Sequence, residues 1–287
     1  MSERTAAGAG EQGSDRAPGT ARDTATLPAD DTALQAEALT LDDLATRWHD
    51  AMSAGPIGAE AMRGADRRAQ ALGIRGSELM RNAGAAVAAV ARAMLLERGR
   101  WGSGPILVLA GPGNNGGDGS VAAWFLARGP HANDARFVAV ALIATEPRPT
   151  TREAARAWDR LGQLANVERL HAATPLEVAL LGHGIERAAL IVDALLGTGV
   201  RGPLREPVRS AVEMIERARA GGVPLLAVDT PTSVDLSSGD ASDPVVHADV
   251  TVTFHRPKLG LLARRGPALA GRVLVAPIGI PRDADAG

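Results

Sequence analysis

The chain has 287 residues, of which 45% are hydrophobic, and it carries a formal net charge of −2. A chain of this size can bury one substantial core, although ~150 residues is the commoner length of a domain. The small net charge gives no basic field for binding nucleic-acid phosphates, and the absence of cysteine excludes disulfides and thiolate metal sites. Arg92 interrupts the longest apolar run, residues 83–96, so no membrane-spanning stretch is predicted.

Residues 1–39 are rich in Ala, Gly, Thr, Asp and Glu and contain almost no large apolar side chains. Such a segment cannot bury enough surface to offset the entropy lost on ordering, so we expect a disordered acidic leader. The leader has neither the acid-poor composition of a transit peptide nor the basic-then-apolar order of a secretory signal, which makes the cytoplasm the expected compartment. Thr40, followed by Asp43, predicts a helix start at the beginning of a single domain, residues 40–287.

Apolar runs and helical patterns alternate along this domain. We predict strands at 105–110, 137–143, 167–170, 189–193, 224–229, 248–254 and 272–276, and helices at 57–72, 77–98, 119–127, 151–164, 175–182 and 204–220. Strands separated by helices favour parallel pairing, and strands that are apolar throughout are typical of a sheet covered on both faces. The predicted fold is therefore a three-layer α/β/α sandwich, with a Rossmann-like, doubly wound and mostly parallel sheet.

Residues 111–119 read Gly-Pro-Gly-Asn-Asn-Gly-Gly-Asp-Gly and connect the first predicted strand to a helix. Five glycines let the backbone turn sharply, and the helix N-terminus favours an anionic or phosphorylated ligand. The segment matches G-x-G-x-x-G, but the acid that a dinucleotide-binding fold needs about 20 residues later is not at the expected place. A P-loop would need Gly-Lys-Ser/Thr, and a plain Asn-Gly hairpin turn would need a following strand rather than a helix.

Asp193 and Asp229 each end an apolar predicted strand. The carboxyl ends of parallel strands meet at one edge of the sheet, so both aspartates should converge with residues 114–118. A single Asp after a strand is often a helix cap or turn residue, but two of them beside two glycine loops favour a ligand site. Asn115 and Thr232 add hard oxygen ligands, which suit an alkali or alkaline-earth cation rather than zinc.

Several sequence blocks together resemble the YjeF N-terminal domain family, the NAD(P)HX epimerases. The segment 111–119 resembles the signature loop of that family. Four further blocks follow the family's pattern: Leu-Met-Arg-Asn-Ala-Gly at 79–84, a second glycine loop at 193–203, Val-Asp-Thr-Pro-Thr at 228–232, and a closing strand at 248–254 followed by Pro257-Lys258. The resemblance covers residues 56–281.

The resemblance implies repair of damaged nicotinamide cofactor, by epimerisation of the R and S forms of hydrated NADH and NADPH (NADHX and NADPHX). It also implies a separate dehydratase that acts on the product. By the same resemblance potassium (K⁺) is bound by Asn115, Asp193 and Thr232. Asp229 is the candidate catalytic residue, because a carboxylate at the reacting carbon can assist proton transfer. The expected substrate-binding residues are Asn114, Asn115, Gly116, Gly117, Asp118, Gly197, Thr198, Gly199, Val200, Arg201, Gly202, Pro203 and Asp229.

Three positions depart from the family pattern: Arg81 replaces an acid, Thr232 replaces a serine but keeps the hydroxyl oxygen, and Ser233 replaces a glycine, which is unfavourable if the backbone there needs a positive φ. We expect a homodimer that binds neither nucleic acid nor membrane. Lys258 is the only lysine among 31 basic residues, which suggests a site where a compact ammonium fits and a guanidinium does not.

Two other classes of function stay open. A non-catalytic dimerisation or scaffold module of the same fold would tolerate loss of Asp229 or of the Asn-Asn pair, yet both are present. An NAD-dependent oxidoreductase would share the glycine loop. The chain lacks the ribose-binding acid of such enzymes and any evident Tyr-Lys or His pair, since it contains no tyrosine.

Overall fold

The computed structural model describes residues 26–129, 135–197 and 202–285. Within them, seven strands form one sheet in the order β3-β2-β1-β4-β5-β6-β7, with every neighbouring pair parallel. The strands are β1 (Ile106–Ala110), β2 (Val138–Ile143), β3 (Val167–Ala172), β4 (Leu190–Ala194), β5 (Leu225–Val228), β6 (Val250–Phe254) and β7 (Arg272–Ala276). The strand order reverses between β1 and β4, which is where doubly wound sheets bind their ligands. The predicted fold class is confirmed.

Helices cover both faces of the sheet. They are α1 (Thr32–Ala36), α2 (Leu41–Arg47), α3 (His49–Met52), α4 (Ala59–Ala71), α5 (Gly76–Glu97), α6 (Asn114–Arg128), α7 (Arg152–Leu161), α8 (Pro175–Leu181), α9 (Val208–Ala220), α10 (Leu259–Leu262) and α11 (Gly266–Ala270). Alternate residues of β1 enter different cores: Val108 packs with α5 and α6, whereas Leu109 packs with α8 and α9. This two-residue period explains why the strand is apolar at every position.

Helix α5 is long and apolar enough to cross a membrane, by length and composition only. However, 83% of its most apolar window is buried inside the protein. Its closest neighbour is α6, and a Cβ added to Gly84 would lie 2.4 Å from the Cβ of Val121. The apolar composition of α5 is therefore accounted for by its place in the core, and a glycine is needed where the two helices approach.

The structure corrects the predicted extent of the leader. Residues 26–39 fold onto α5: Leu34 of α1 is only 4% exposed, and the backbone N–H of Ala29 donates a hydrogen bond of 3.1 Å to Oδ1 of Asn82. The prediction of disorder through residue 39 is therefore wrong for this part. A few apolar residues among many polar ones suffice to anchor it, and composition averaged over the segment hides them. Residues 1–25 lie outside the described part of the chain.

Helix boundaries agree with the predictions to within a few residues, with one informative exception. Helix α6 begins at Asn114 rather than at residue 119, so the second half of the glycine loop is the first turn of the helix. Glycine has a low intrinsic helix propensity, which is why the sequence predicted a loop there. The predicted helix start at Thr40 is confirmed, since Thr40 and Asp43 form a reciprocal capping box at the N-terminus of α2.

Candidate active site

A cavity of about 620 Å³ lies at the carboxyl ends of β1, β4 and β5. Its walls come from α4, α5, the start of α6 and the residues after β4 and β5. Five of the sequence-predicted substrate-binding residues line it: Asn114, Asn115, Asp118, Gly197 and Asp229. The predicted convergence of the glycine loop with Asp229 at this edge of the sheet is therefore confirmed.

Four other predicted substrate-binding residues that the structure describes are not among the residues that line this cavity. Gly116 and Gly117 are buried behind the cavity wall, whereas Gly202 lines a second depression and Pro203 is exposed. Four predicted residues lie outside the described part of the chain: Thr198, Gly199, Val200 and Arg201. Ligand contacts by the second glycine loop stay a prediction.

Close packing explains the glycines at the start of α6. A Cβ added to Gly116 would lie 1.9 Å from the carbonyl oxygen of Gly111, and one added to Gly111 would lie 1.8 Å from that of Leu195. The chain therefore turns from β1 into α6 in a space that side chains would fill. The N-cap residue Gly113 makes no side-chain hydrogen bond to α6, so the first turn presents backbone N–H groups and the positive end of the helix dipole to the cavity.

Asp193 and Thr232 form one hydrogen-bonded unit between the two loops. The register places Asp193 beside Leu109 of β1 and Ala227 of β5. Its carboxylate accepts hydrogen bonds from the Thr232 backbone N–H (2.8 Å), from the Thr232 hydroxyl (2.7 Å) and from the N–H of Leu195 (3.2 Å). Burial raises the pKa of Asp193 to about 6, against the effect of these donors.

Asn115 packs against the loop that follows β4 and carries a buried polar atom that has no hydrogen-bond partner among the described residues. A Cβ added to Gly197 would lie 3.2 Å from the amide of Asn115, so the side chain packs against the loop that follows β4. Its Nδ2 makes no hydrogen bond within the described residues. Because a buried polar atom without a partner often indicates a missing ligand, and because a side-chain amide can rotate to present its oxygen, this position suits an oxygen-coordinated ion.

Asp229 follows β5 and has a left-handed backbone conformation with φ of 65°. Its N–H donates to the carbonyl of Val252 on β6 (2.8 Å), which fixes the turn. Its Oδ1 accepts a hydrogen bond from the Thr253 hydroxyl (2.8 Å) and lies 3.2 Å from Nζ of Lys258. The sequence indicated both Asp229 and Lys258 separately, but not that they are partners.

Asp118 is the second carboxyl group of the cavity and is half-buried. Burial raises the pKa of Asp118 well above its ordinary value, and the nearby carboxylates of Asp229 and Asp66 raise it further. Asp66 belongs to α4, and burial also raises its pKa. The cavity therefore contains carboxyl groups in different environments, which is how proteins separate proton-donating from proton-accepting groups.

Sequence reasoning missed the contribution of α4 to the cavity. Arg63, Asp66, Arg67 and Gln70 line it, and Thr150 and Thr151 face it before α7. Helix α4 shows an ordinary amphipathic pattern, so nothing in its sequence marks these positions. Thr253 was missed as well, although a threonine next to the last residue of a fully buried strand is a signal that could have found it.

In the described part of the chain, no group of three or more His, Cys, Asp or Glu side chains is arranged to hold a metal ion. The predicted cation ligands are of another kind, because they comprise one carboxylate, one amide and one hydroxyl. Such a set carries little charge and suits a large monovalent ion better than Zn²⁺ or Mg²⁺.

Comparison with known proteins agrees with this arrangement. A family model described as "YjeF-related protein N-terminus" matches residues 76–260. The bifunctional NAD(P)H-hydrate repair enzyme Nnr of Pyrobaculum aerophilum is 42% identical over 222 residues, which are 77% of this chain and 41% of that protein. The NAD(P)H-hydrate epimerase of Cenarchaeum symbiosum is 35% identical over 235 residues, 80% of this chain and 98% of that protein.

A solved structure has the same fold. The crystal structure of yeast ynu0 superimposes with a TM-score of 0.65 at 25% identity, covering 80% of this chain and 92% of that one. The chain spans about two-fifths of the length of the bifunctional relatives, but nearly the whole of the relative that is named an epimerase alone.

Proposed function

The chain belongs to the YjeF-related N-terminal family, and we propose that it interconverts the R and S epimers of hydrated NADH and NADPH. The observation that carries this proposal is the position of Asp229 in one cavity with Asn114, Asn115 and Asp118. The first turn of α6 favours a negatively charged dinucleotide as the ligand, because its N–H groups and the helix dipole favour binding of a phosphate. A dehydratase would consume the epimer that it accepts.

The chemistry requires configuration to be lost and restored at the hydroxylated carbon, which adjoins the ring nitrogen. Asp229 takes the hydroxyl proton while the bond from this carbon to the nitrogen breaks and a carbonyl forms. Asp118, whose pKa is raised and which is therefore suited to carry a proton near neutral pH, gives that proton to the nitrogen. The nitrogen then adds to the opposite face of the carbonyl carbon, and both protons return to their original partners.

Potassium is part of the same proposal, with Asn115, Asp193 and Thr232 as side-chain ligands. Its support is a fully buried carboxylate, a hydroxyl bonded to it and an adjacent amide with a buried, unpartnered atom. When bound, the ion would neutralise Asp193 and connect the start of α6 to the loop after β4. The remaining ligands would be backbone carbonyls or water.

The direct test is an exchange experiment. Hydrated NADH or NADPH enriched in one epimer is mixed with the purified chain, and the ring-proton signals of the two epimers are followed by proton NMR. We expect equilibrium to be reached many times faster than in buffer. Exchange at the buffer rate, with ligand binding intact, would favour the non-catalytic scaffold module instead.

A further inference from the structure

We propose that Lys258 and Thr253 form a positioning pair that binds one carboxylate oxygen of Asp229, stabilises its negative charge and leaves the other oxygen to face the cavity. The inference rests on the proposed role of Asp229 as the proton acceptor. It assigns a function to the only lysine of the chain and to a threonine that the family resemblance does not single out.

The ammonium group of Lys258 makes its hydrogen bonds in the interior of the protein. The side chain is completely buried, and Nζ donates hydrogen bonds to the Thr253 hydroxyl (2.9 Å) and to the carbonyl of Phe254 (2.7 Å). Two further oxygens lie near Nζ: Oδ1 of Asp229 at 3.2 Å and the carbonyl oxygen of Arg256 at 3.4 Å. These four acceptors surround the three donor hydrogens of the ammonium, and the three shorter contacts fix the orientation of the group. Burial lowers the pKa of Lys258, and the adjacent Asp229 opposes that effect.

The direction of the Thr253 hydrogen bond follows from this arrangement. An ammonium can only donate, so the Thr253 hydroxyl accepts from Lys258 and must point its own hydrogen elsewhere. That hydrogen is donated to Oδ1 of Asp229, at 2.8 Å. Asp229 thus receives two donors on the same oxygen, and both contacts favour an ionised acceptor. A proton on Oδ1 would forfeit both of them.

In this geometry the two oxygens of the Asp229 carboxylate have different roles. Lys258 and Thr253 both bind Oδ1, so Oδ2 is the oxygen left to take a proton from a ligand. Two carboxyl groups close together rarely ionise at the same time, and the site contains Asp118 as well as Asp229. Because Lys258 lies beside Asp229, the proton is kept by Asp118, and the donor and acceptor roles become distinct.

An arginine would not serve in this position. The available space is closed, since Lys258 is 0% exposed, and its partners surround a compact point charge. A guanidinium is planar and larger and presents its five donors in a rigid fork. The use of lysine here, in a chain that otherwise uses arginine, is consistent with this steric requirement.

Several other charged groups lie near Asp229 and Lys258, and none of them is changed in the variants proposed below. Asp118 faces Asp229 from α6, and Asp66 faces Asp118 from α4. Further charged groups either line the same cavity or lie near Lys258: Arg63, Arg67, Glu153, His255, Arg256 and Asp285.

The experiment measures kcat and KM for epimer exchange as a function of pH in Lys258→Met and Thr253→Val. We expect Lys258→Met to lower kcat by on the order of 10² or more, with little change in KM, because it disturbs the acceptor rather than binding. The acidic limb of the rate profile should move to higher pH in both variants. Adding Lys258→Met to Asp229→Asn should cause almost no further loss, since the lysine acts through Asp229.

Thr251→Val is the matched control for Thr253→Val. Both threonines are fully buried in β6, but the Thr251 hydroxyl donates to the carbonyl of Ala270 (2.7 Å), away from Asp229. Thr251→Val should therefore leave the pH profile in place even if it lowers the melting temperature. Lys258→Arg should impair exchange nearly as much as Lys258→Met does.

Two outcomes would overturn the proposal. One is a pH profile in Thr253→Val that matches those of wild type and Thr251→Val. The other is an additional loss from Lys258→Met in the Asp229→Asn background as large as its loss alone. If the wild type shows no exchange, the proposed function fails and this pairing is tested without activity: the ¹³C signal of the Asp229 carboxyl should move in Thr253→Val and stay in place in Thr251→Val, and an unmoved signal in Thr253→Val would refute the pairing.

Discussion

Thr232→Val is the substitution that most sharply tests the cation site. Valine keeps the shape of threonine but removes a hydroxyl that donates to Oδ1 of Asp193 (2.7 Å) and accepts from the N–H of Leu196 (3.3 Å). Both groups would lose a partner in a buried place. A hydrogen bond to a charged group contributes about 1.5–3 kcal/mol and a neutral one about 1, so we expect the free energy of unfolding to fall by roughly 2–4 kcal/mol.

Thr232→Ser is the matched control, because it keeps the hydroxyl and removes only one buried methyl group. Its expected cost is about 0.8 kcal/mol. The two variants should therefore differ clearly in melting temperature, since about 1 kcal/mol corresponds to roughly 2–4 °C for a domain of this size. Equal melting temperatures for Thr232→Ser and Thr232→Val would refute the role given to the hydroxyl.

Potassium binding should add a second, independent difference in stability between Thr232→Val and the two proteins that keep the hydroxyl. A ligand present at a hundredfold excess over its dissociation constant stabilises the folded protein by about 2.7 kcal/mol. Melting curves in potassium and in lithium should separate for the wild type and for Thr232→Ser, and should coincide for Thr232→Val. If Thr232→Val loses as much stability in lithium as in potassium, the hydroxyl is structural only and the potassium assignment is wrong.

Three further predictions concern other parts of the molecule. Asp229→Asn should lower the exchange rate by about 10² or more while ligand still binds, and a rate within threefold of wild type would show that the carboxylate is not catalytic. Leu34→Ala, which truncates a buried leucine, should cost about 2–5 kcal/mol in denaturant unfolding, whereas Leu72→Ala at a 58% exposed position should change it by less than about 0.5. Ser233→Gly should be more stable than Ser233→Ala by about 1 kcal/mol, because only glycine relieves the positive φ of 81° at that position; the reverse order would mean that the backbone there is not strained.

The fold could be predicted from the sequence because its signals are local. Apolar runs predicted most of the strands, and the helical patterns between the first five of them predicted the parallel arrangement; β3, with the sequence Val-Glu-Arg-Leu-His-Ala, is the least apolar of the seven. The leader and α6 were less well predicted for the same reason. Leu34 is a single apolar residue whose burial depends on α5, far away in sequence, and the glycines of α6 are required by contacts with Gly111 and Met80 rather than by helix propensity.

The site was predictable only as far as sheet geometry allows. Parallel strands bring their carboxyl ends together, so Asp193, Asp229 and the residues after β1 could be assigned to one edge. Which side chains bind one another there could not be assigned. The contact of Lys258 with Asp229 depends on β6 lying beside β5, a neighbour relation that appears only once the strand order is known.

The proposed catalytic residue Asp229 has a strained backbone conformation. Asp229, Ser233 and His255 all have positive φ values, of 65°, 81° and 68°, and they follow the adjacent strands β5 and β6. Such conformations cost free energy in non-glycine residues and persist only when their surroundings hold them. At Asp229, the partners of the backbone N–H and of the side chain lie in β6 or in the turn that follows it. The N–H donates a hydrogen bond to the carbonyl of Val252, and the side chain contacts Thr253 and Lys258.

This strain determines which substitution of Asp229 is informative. Asparagine adopts the left-handed region more readily than most residues, so Asp229→Asn removes the negative charge and leaves the turn in place. Alanine would remove the charge and the side-chain contacts with Thr253 and Lys258 together, and it adopts the left-handed region less readily than asparagine. A loss of activity in Asp229→Ala could therefore arise from the turn alone, whereas the same loss in Asp229→Asn, with an unchanged melting temperature, isolates the carboxylate as the group that moves the proton.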